Sequence, residues 1–531
     1  MGKIGEKFKH LVGLEGTVKE FLPPALGYTS ANITLGGAGY VIGQFHQQYL
    51  TYVEGMGVKN AGKISLLSGL WDAFNDPIMG MITDRTKSKY GRHRPYLLVG
   101  ALPFALSIVL RWTSFGISGL GNQLYTWLWY LMSSILYGTS YTVMSIPHTA
   151  MLPQVAPNYF ERTQYKIVEY AMNSVGQISS YVFAALALSN FNVKTALTAL
   201  PNPTPADRGK YMMVGIILAA WFLWPPIYSF FHTKERSSHL QKKEPLNLRY
   251  LLNEYKLVFS NRAFRQYFCI TLFYSISKSF YNLTDQYFMI SVADMYKFFI
   301  SLNIVAGIAE FSGSPINYLL VRFKGKTFCG KLLGPLMVTG LLLNILITPA
   351  TSAATKTAII FISAVLYNIG FSGPGFVGEN IQPDITDVDE MITGRRREGI
   401  VSTFKTLFNK TISSVMSYVV GASLEAFGYN PEKQLPSEQS ARTTFGLRLN
   451  FVIIPSVLAL LSVISIYRYT MTKKDHECIK ELLAARHEHG FVAEPEPKTK
   501  KRLEKIAGKK WDEMWISTVD KEKLELYNAS K

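Results

Sequence analysis

Apolar runs of about 20 residues recur about twelve times along this chain, and no other feature constrains its fold as tightly. A run of that length crosses hydrocarbon as a helix, the one lone segment that satisfies its own backbone hydrogen bonds there. The runs lie at 27–53, 60–83, 96–114, 124–150, 167–190, 211–231, 266–292, 297–321, 328–349, 354–382, 400–427 and 446–468. They predict an all-α integral membrane protein. Composition agrees, because 17% of the 531 residues are charged, where soluble chains carry about a quarter. The first, fourth, tenth and eleventh runs are interrupted by polar groups, which hydrocarbon alone would not tolerate.

The net charge of +18 does not mark a nucleic-acid binder. Lys and Arg gather at the amino terminus, at Arg85 to Arg94, at Lys234 to Arg265, at Arg322 to Lys326, at Arg395 to Arg397 and in the tail. Those clusters flank alternate ends of the apolar runs and form no separate basic module, so the positive-inside rule predicts both termini cytoplasmic. A polar stretch over 232–265 divides the chain into a six-span half over 1–231 and a second over 266–468. Within it LNLRYLLNEYKLVF reads as an amphipathic helix, as do the first residues, which lack the apolar core of a cleavable signal peptide. The tail over 469–531 has an amphipathic opening and then EPEPKTKKRLEKIAGKKWDEMW, a charged stretch too poor in apolar residues for a core, which predicts a solvated or headgroup-associated tail and not a domain. Cys269, Cys329 and Cys478 have neither disulfide nor metal-ligand spacing.

Two acids lie in the second apolar run. Asp72, Asn75 and Asp76 stand at i, i+3 and i+4, which places them on one helix face, with Ser68 a turn earlier. Such a face offers hard oxygen ligands for Na+ or a shared proton, and charges at this depth are seldom kept without a task. In the seventh run Thr271, Tyr274, Lys278, Tyr281 and Asp285 form a polar, aromatic stripe, in which Lys278 either pairs with Asp285 or Glu310 or faces a solute. Asp84, Arg85, Arg92 and Arg94 after the second run, and Asp384, Asp387 and Arg396 before the eleventh, are expected to form a gating latch between the halves. His46 and His148 read as satisfied polar groups, and FSGPGFVGENIQP as a glycine-rich stretch that packs helices closely or breaks one. No nucleophile elbow, P-loop, metal-ligand pair or dinucleotide fingerprint occurs, so no enzyme is expected.

The run WDAFNDPIMG…DRT…GRHRP resembles the glycoside-pentoside-hexuronide:cation symporter family of the major facilitator superfamily, the group of the melibiose carriers. Further matches are the Tyr-Thr step in SYTVMSIPHTAMLPQ and the acids followed by Gly-Arg and Glu-Gly in QPDITDVDEMITGRRREG. The resemblance implies a twelve-helix major facilitator fold of two six-helix halves with a cation site at Asp72, Asn75, Asp76 and Thr142. It places Lys410 beside a sugar, within a solute-binding set of Asn32, Tyr141, Ser145, Thr149, Glu169, Lys278, Asp285 and Lys410. Where melibiose carriers grip galactosides with Asp on helix one, Asp on helix four and Arg on helix five, this chain has Asn32 or Gly36, Ser145, and Glu169 or Tyr170. The expected function is therefore Na+- or H+-coupled uptake of a glycoside-like solute across the cell membrane, by a carrier working as a monomer in the bilayer without other cofactors. Alternatives are a uronide, another anionic or amphipathic solute such as a lysolipid, or a non-transporting sensor or scaffold.

Overall fold

The computed structural model describes residues 18–519 apart from 157–158, 236–247 and 396, and leaves some helical side chains undescribed. Among the described residues there is no strand. The first group of helices is α1 (Val18–Thr29), α2 (Ala31–Gln48), α3 (Val58–Arg85), α4 (Pro95–Arg111), α5 (Gln123–Val155), α6 (Tyr159–Leu188), the short α7 (Val193–Thr198) and α8 (Arg208–His232). The linker helix α9 (Leu248–Ser260) follows. The second group is α10 (Arg262–Phe288), α11 (Phe299–Lys324), α12 (Lys326–Leu343), α13 (Ala353–Asn380), α14 (Gln382–Thr393), α15 (Glu398–Ala426), α16 (Ala441–Arg448) and α17 (Ile454–Tyr467). Long helices thus cover every expected apolar run.

By length and hydropathy, five helical segments qualify to cross a membrane among the described residues: 205–232, 296–321, 326–346, 353–393 and 441–467. The α4 helix is apolar but shorter. Helices such as α3 carry acids and amides that lower their hydropathy, and these side chains are turned toward other helices while Phe74 and Ile78 are exposed. Helix starts follow their local chemistry. The Asn122 side chain accepts from Leu124 N at 3.0 Å to cap α5, and that of Asn261 from Ala263 N at 2.9 Å to cap α10.

The two groups meet along α3 and α15. Small residues bring these helices close: a Cβ on Gly62 would lie 2.6 Å from Ser417 O, one on Gly421 2.7 Å from Val58 O, and one on Gly69 would overlap the Ser414 side chain. At one end of the bundle a buried tyrosine cluster ties the groups together. Thr51 and Tyr287 hydroxyls lie 3.1 Å apart, Tyr52 bonds Tyr429, and Tyr429 lies 3.2 Å from Ser291. The Gln434 side chain also donates to Pro203 O at 2.8 Å. No described hydrogen bond or ion pair joins the groups at the other end, the end of the basic loops. Helix α13 uses its glycines for close packing, with Gly370 against Met337 and Gly373 against Leu333 and Cys329.

The tail departs from expectation. Residues 473–489 and 497–507 form α18 (Lys473–His489) and α19 (Pro497–Ala507), followed by short 3-10 turns at Trp511–Glu513 and Trp515–Ser517. Ile479, Leu483, Leu503, Ile506, Trp511 and Met514 are buried in one cluster with Ile385, Val388 and Met391 of α14. Those apolar residues are few but sit at helical spacing, and α14 together with the start of α10 supplies the rest of the core. Thr472 and Asp475 form a capping box at the start of α18, and Arg502 of α19 pairs with Asp475, its Nη2 at 2.8 Å.

Burial pushes the Asp475 carboxyl up, but the bonds from Arg502 and Thr472 outweigh it and hold the group below the usual carboxylate range. A carboxyl lowered on folding stabilises the docked tail above its ordinary value of about 3.9, and that stabilisation is lost as the pH falls through the lowered value. The tail is therefore expected to stay docked at neutral pH and to loosen below about pH 4. Asp475→Asn should loosen it at pH 7 by about 1–3 kcal/mol, read as faster limited proteolysis after residue 472.

Candidate functional site

Helix α3 runs from the end of the tyrosine cluster toward the basic loop, and its polar face is turned onto α5 and α15. The Thr142 hydroxyl, fully buried on α5, donates to Asp76 Oδ1 at 2.8 Å. Lys410 on α15 reaches across the α3–α15 seam and donates to Asp76 Oδ2. Asp72 is packed against α5 so closely that a Cβ on Gly138 would overlap its carboxylate. Asp72 Oδ1 and Asn75 Nδ2 are buried without a hydrogen-bond partner among the described residues. Two acids, an amide, a hydroxyl and one ammonium thus share one locus between three helices. The close α3–α15 packing brings the Lys410 ammonium onto Asp76.

The solute set does not gather at that locus. Tyr141 is committed to the backbone, donating to Leu35 O on α2 at 3.0 Å. Thr149 bonds its own helix at Ser145 O, 2.9 Å away, and is exposed, while Ser145 is half-buried. Glu169 pairs with Lys166 one turn away at 2.9 Å. Asn32 is buried on α2 with its Oδ1 unpartnered among the described residues.

Lys278 and Asp285 instead line a cavity between α2 and α6 on one side and α10, α11 and α13 on the other. Tyr40, Gln177 and Tyr181 face them from the first group, and Glu310 from α11. The Lys278 ammonium lies 4.9 Å from the centre of the Phe371 ring. No described ion pair joins Lys278 directly to Asp285 or Glu310.

The gating clusters close on other partners. Backbone N–H groups of Arg92, His93 and Arg94 converge on the Glu235 carboxylate at 2.6, 2.8 and 2.5 Å, and Arg94 Nη1 donates to Thr233 O at 2.6 Å. Asp384 pairs with Lys326 at 2.6 Å, and Asp387 with His476 of the tail at 2.8 Å. Arg397 bridges Asp389 and Glu254 at 2.7 and 2.6 Å. Arg85 is exposed, and the Asp84 side chain and Arg396 lie outside the described residues. No described contact joins the two clusters into the expected latch, and the described contacts give each a counter-charge of its own.

Sequence reasoning passed over Glu235 and Arg111. Arg111 is buried on α4, donates to His46 Nδ1 at 2.8 Å and lies 4.9 Å from the Tyr137 ring. A lone arginine inside an apolar run was its visible signal. His148 bonds Tyr28 O at 3.0 Å, so both histidines are paired polar groups.

A family model described as MFS/sugar transport protein matches residues 27–473. The chain belongs to this MFS/sugar transport family. An uncharacterized symporter of Synechocystis sp. is 26% identical over 525 residues, covering 84% of this chain and 93% of the relative. The isoprimeverose transporter of Lactiplantibacillus pentosus is 26% identical, covering 82% and 85%. Among solved structures, the nucleoside transporter NupG has the same fold, with a TM-score of 0.56 at 12% identity over 84% of this chain and 98% of that one. The protein is a multi-pass secondary transporter of the cell membrane and not an enzyme. In a member of this family, Gly138→Ala should displace Asp72 while leaving the bundle folded. The expected readout is a melting temperature within a few degrees of wild type, with any stabilisation by Na+ reduced at least about tenfold in apparent affinity.

Proposed function

We propose that this transporter couples inward movement of Na+ or H+ to uptake of a sugar or glycoside-like solute, by alternating access of two six-helix halves with both termini in the cytoplasm. The observation that carries the reading is the Lys410 ammonium seated on Asp76 beside Thr142 and the buried Asp72. That arrangement supports a locus built for a monovalent cation, with the ammonium standing where an incoming ion would neutralise the acids. A coupling ion would displace Lys410, release α15 from α3 along the small-residue seam, and so tie occupancy to the movement of the halves. One positive charge entering down 100 mV supplies roughly 2.3 kcal/mol, enough to concentrate a neutral solute tens-fold.

The lining of the cavity suits a sugar. Its tyrosines offer flat faces for a pyranose ring, and its amides and acids offer partners for hydroxyl groups. The tyrosine cluster at the extracellular end and the absence of described contacts at the basic end fit a conformation open to the cytoplasm. Lysolipid cargo is not favoured, since the cavity is bounded by helices of both groups.

In proteoliposomes, Asp72→Asn and Asp76→Asn should abolish accumulation of labelled sugar against a gradient, by at least about a hundredfold in rate, under both Na+ and pH gradients. A sensor that does not transport would leave both variants indistinguishable from wild type. Lys410→Gln should leave Asp76 without its counter-charge and lower the ion-free melting temperature, with Na+ restoring more of the loss than choline does.

A further inference from the structure

The cavity that the proposed function gives to the solute has a charge distribution that narrows the cargo further. Asp285 of α10, 4% exposed, and Glu310 of α11 both line it, and neither makes a hydrogen bond or ion pair among the described residues. The basic group that lines the same wall, Lys278, stands two turns from Asp285, about 10 Å along the helix, and is exposed with its ammonium against Phe371. A second orphan points the same way. Tyr367 of α13, 3% exposed, lines the cavity and its hydroxyl has no partner among the described residues.

The rest of the wall near the acids is aromatic: Tyr281 stacks on Tyr367 at 4.0 Å, and Tyr181 faces them from α6. An uncompensated carboxylate in such surroundings is costly, and the hydroxyls of a neutral sugar lower that cost only in part. A uronide would bring a further negative charge toward two acids. A cationic nitrogen meets both requirements of the site, ion-pairing the carboxylates and lying against tyrosine faces.

We propose that this cavity takes a sugar bearing a cationic amino group, with Asp285 and Glu310 holding the ammonium and Tyr367 bonding a neighbouring hydroxyl. Asp285 then determines specificity, and Lys278 stands at the far end of the cavity, away from the solute's charge. The inference rests on the cavity being the solute site and is independent of the ion bound at Asp72 and Asp76.

The test uses the purified full-length chain in detergent and measures thermal stabilisation and affinity for glucosamine, glucose and glucuronate, the matching galactose series, methylammonium chloride, and NaCl. The amino sugars are expected to bind at least about tenfold tighter than their neutral parents, with the uronates weakest. Asp285→Asn should collapse that preference to within about threefold. Methylammonium should stabilise wild type and not Asp285→Asn, which tests the amino-group site even if no sugar binds. An equal or stronger response to the neutral sugars, an amino preference that survives in Asp285→Asn, or stabilisation by NaCl that is lost in Asp285→Asn but kept in Asp72→Asn, overturns the proposal. The last result would make the acids an inorganic-cation site. Failure of every sugar with the methylammonium response retained overturns the sugar reading and upholds the ammonium site. Loss of both responses overturns both.

Discussion

The contact on which this structure depends is the ion pair between Lys410 and Asp76, formed where α3 and α15 touch. A charge at the centre of a bilayer costs about 2.5–3.5 kcal/mol even on the lenient scale of membrane insertion. Two carboxylates on one face of α3 are therefore tolerable only beside compensating groups, and Lys410 and Thr142 provide them for Asp76. The pair forms because Gly62, Gly69, Ser414, Ser417 and Gly421 let two backbones approach. Packing of small residues and compensation of charge are thus one constraint. Breaking either weakens the contact between the two helical groups at its centre.

Around that seam the molecule is asymmetric. One end is tied by hydroxyl and aromatic contacts of Tyr52, Tyr287 and Tyr429, buried in an apolar cluster that both groups share. The other end carries charges paired within each group: Glu235 gathers the backbone of 92–94, and α14 is held by Lys326, His476 and Arg397. The tail contributes to this second assembly. It lies beyond the family match at residue 473, yet it covers the acids of α14 and shares its core.

Much of the fold was legible. Apolar runs marked the helices because hydrocarbon admits few other structures, and the i, i+3, i+4 spacing put Asp72, Asn75 and Asp76 on one face before any neighbour was known. Thr142 came from resemblance, and its hydroxyl does meet Asp76. The contact of Lys410 with Asp76 was not legible because it depends on how closely α15 approaches α3, and glycines more than 350 residues apart in sequence set that approach. The tail was misread for a related reason: its sparse apolar residues make a core only when α14 completes it.

Sequence alone determined that this chain lives in a membrane, that it crosses it many times, and that acids stand on a helix face within it, since each follows from local period and the cost of burying charge. Tertiary structure alone decided which base meets which acid, that Lys278 and Asp285 face one cavity unpaired with each other, and that the charged clusters near the basic loops turn to Glu235, Lys326 and His476. Pairing in a low-dielectric interior is settled over a few ångströms, and only the packing of distant segments sets distances on that scale.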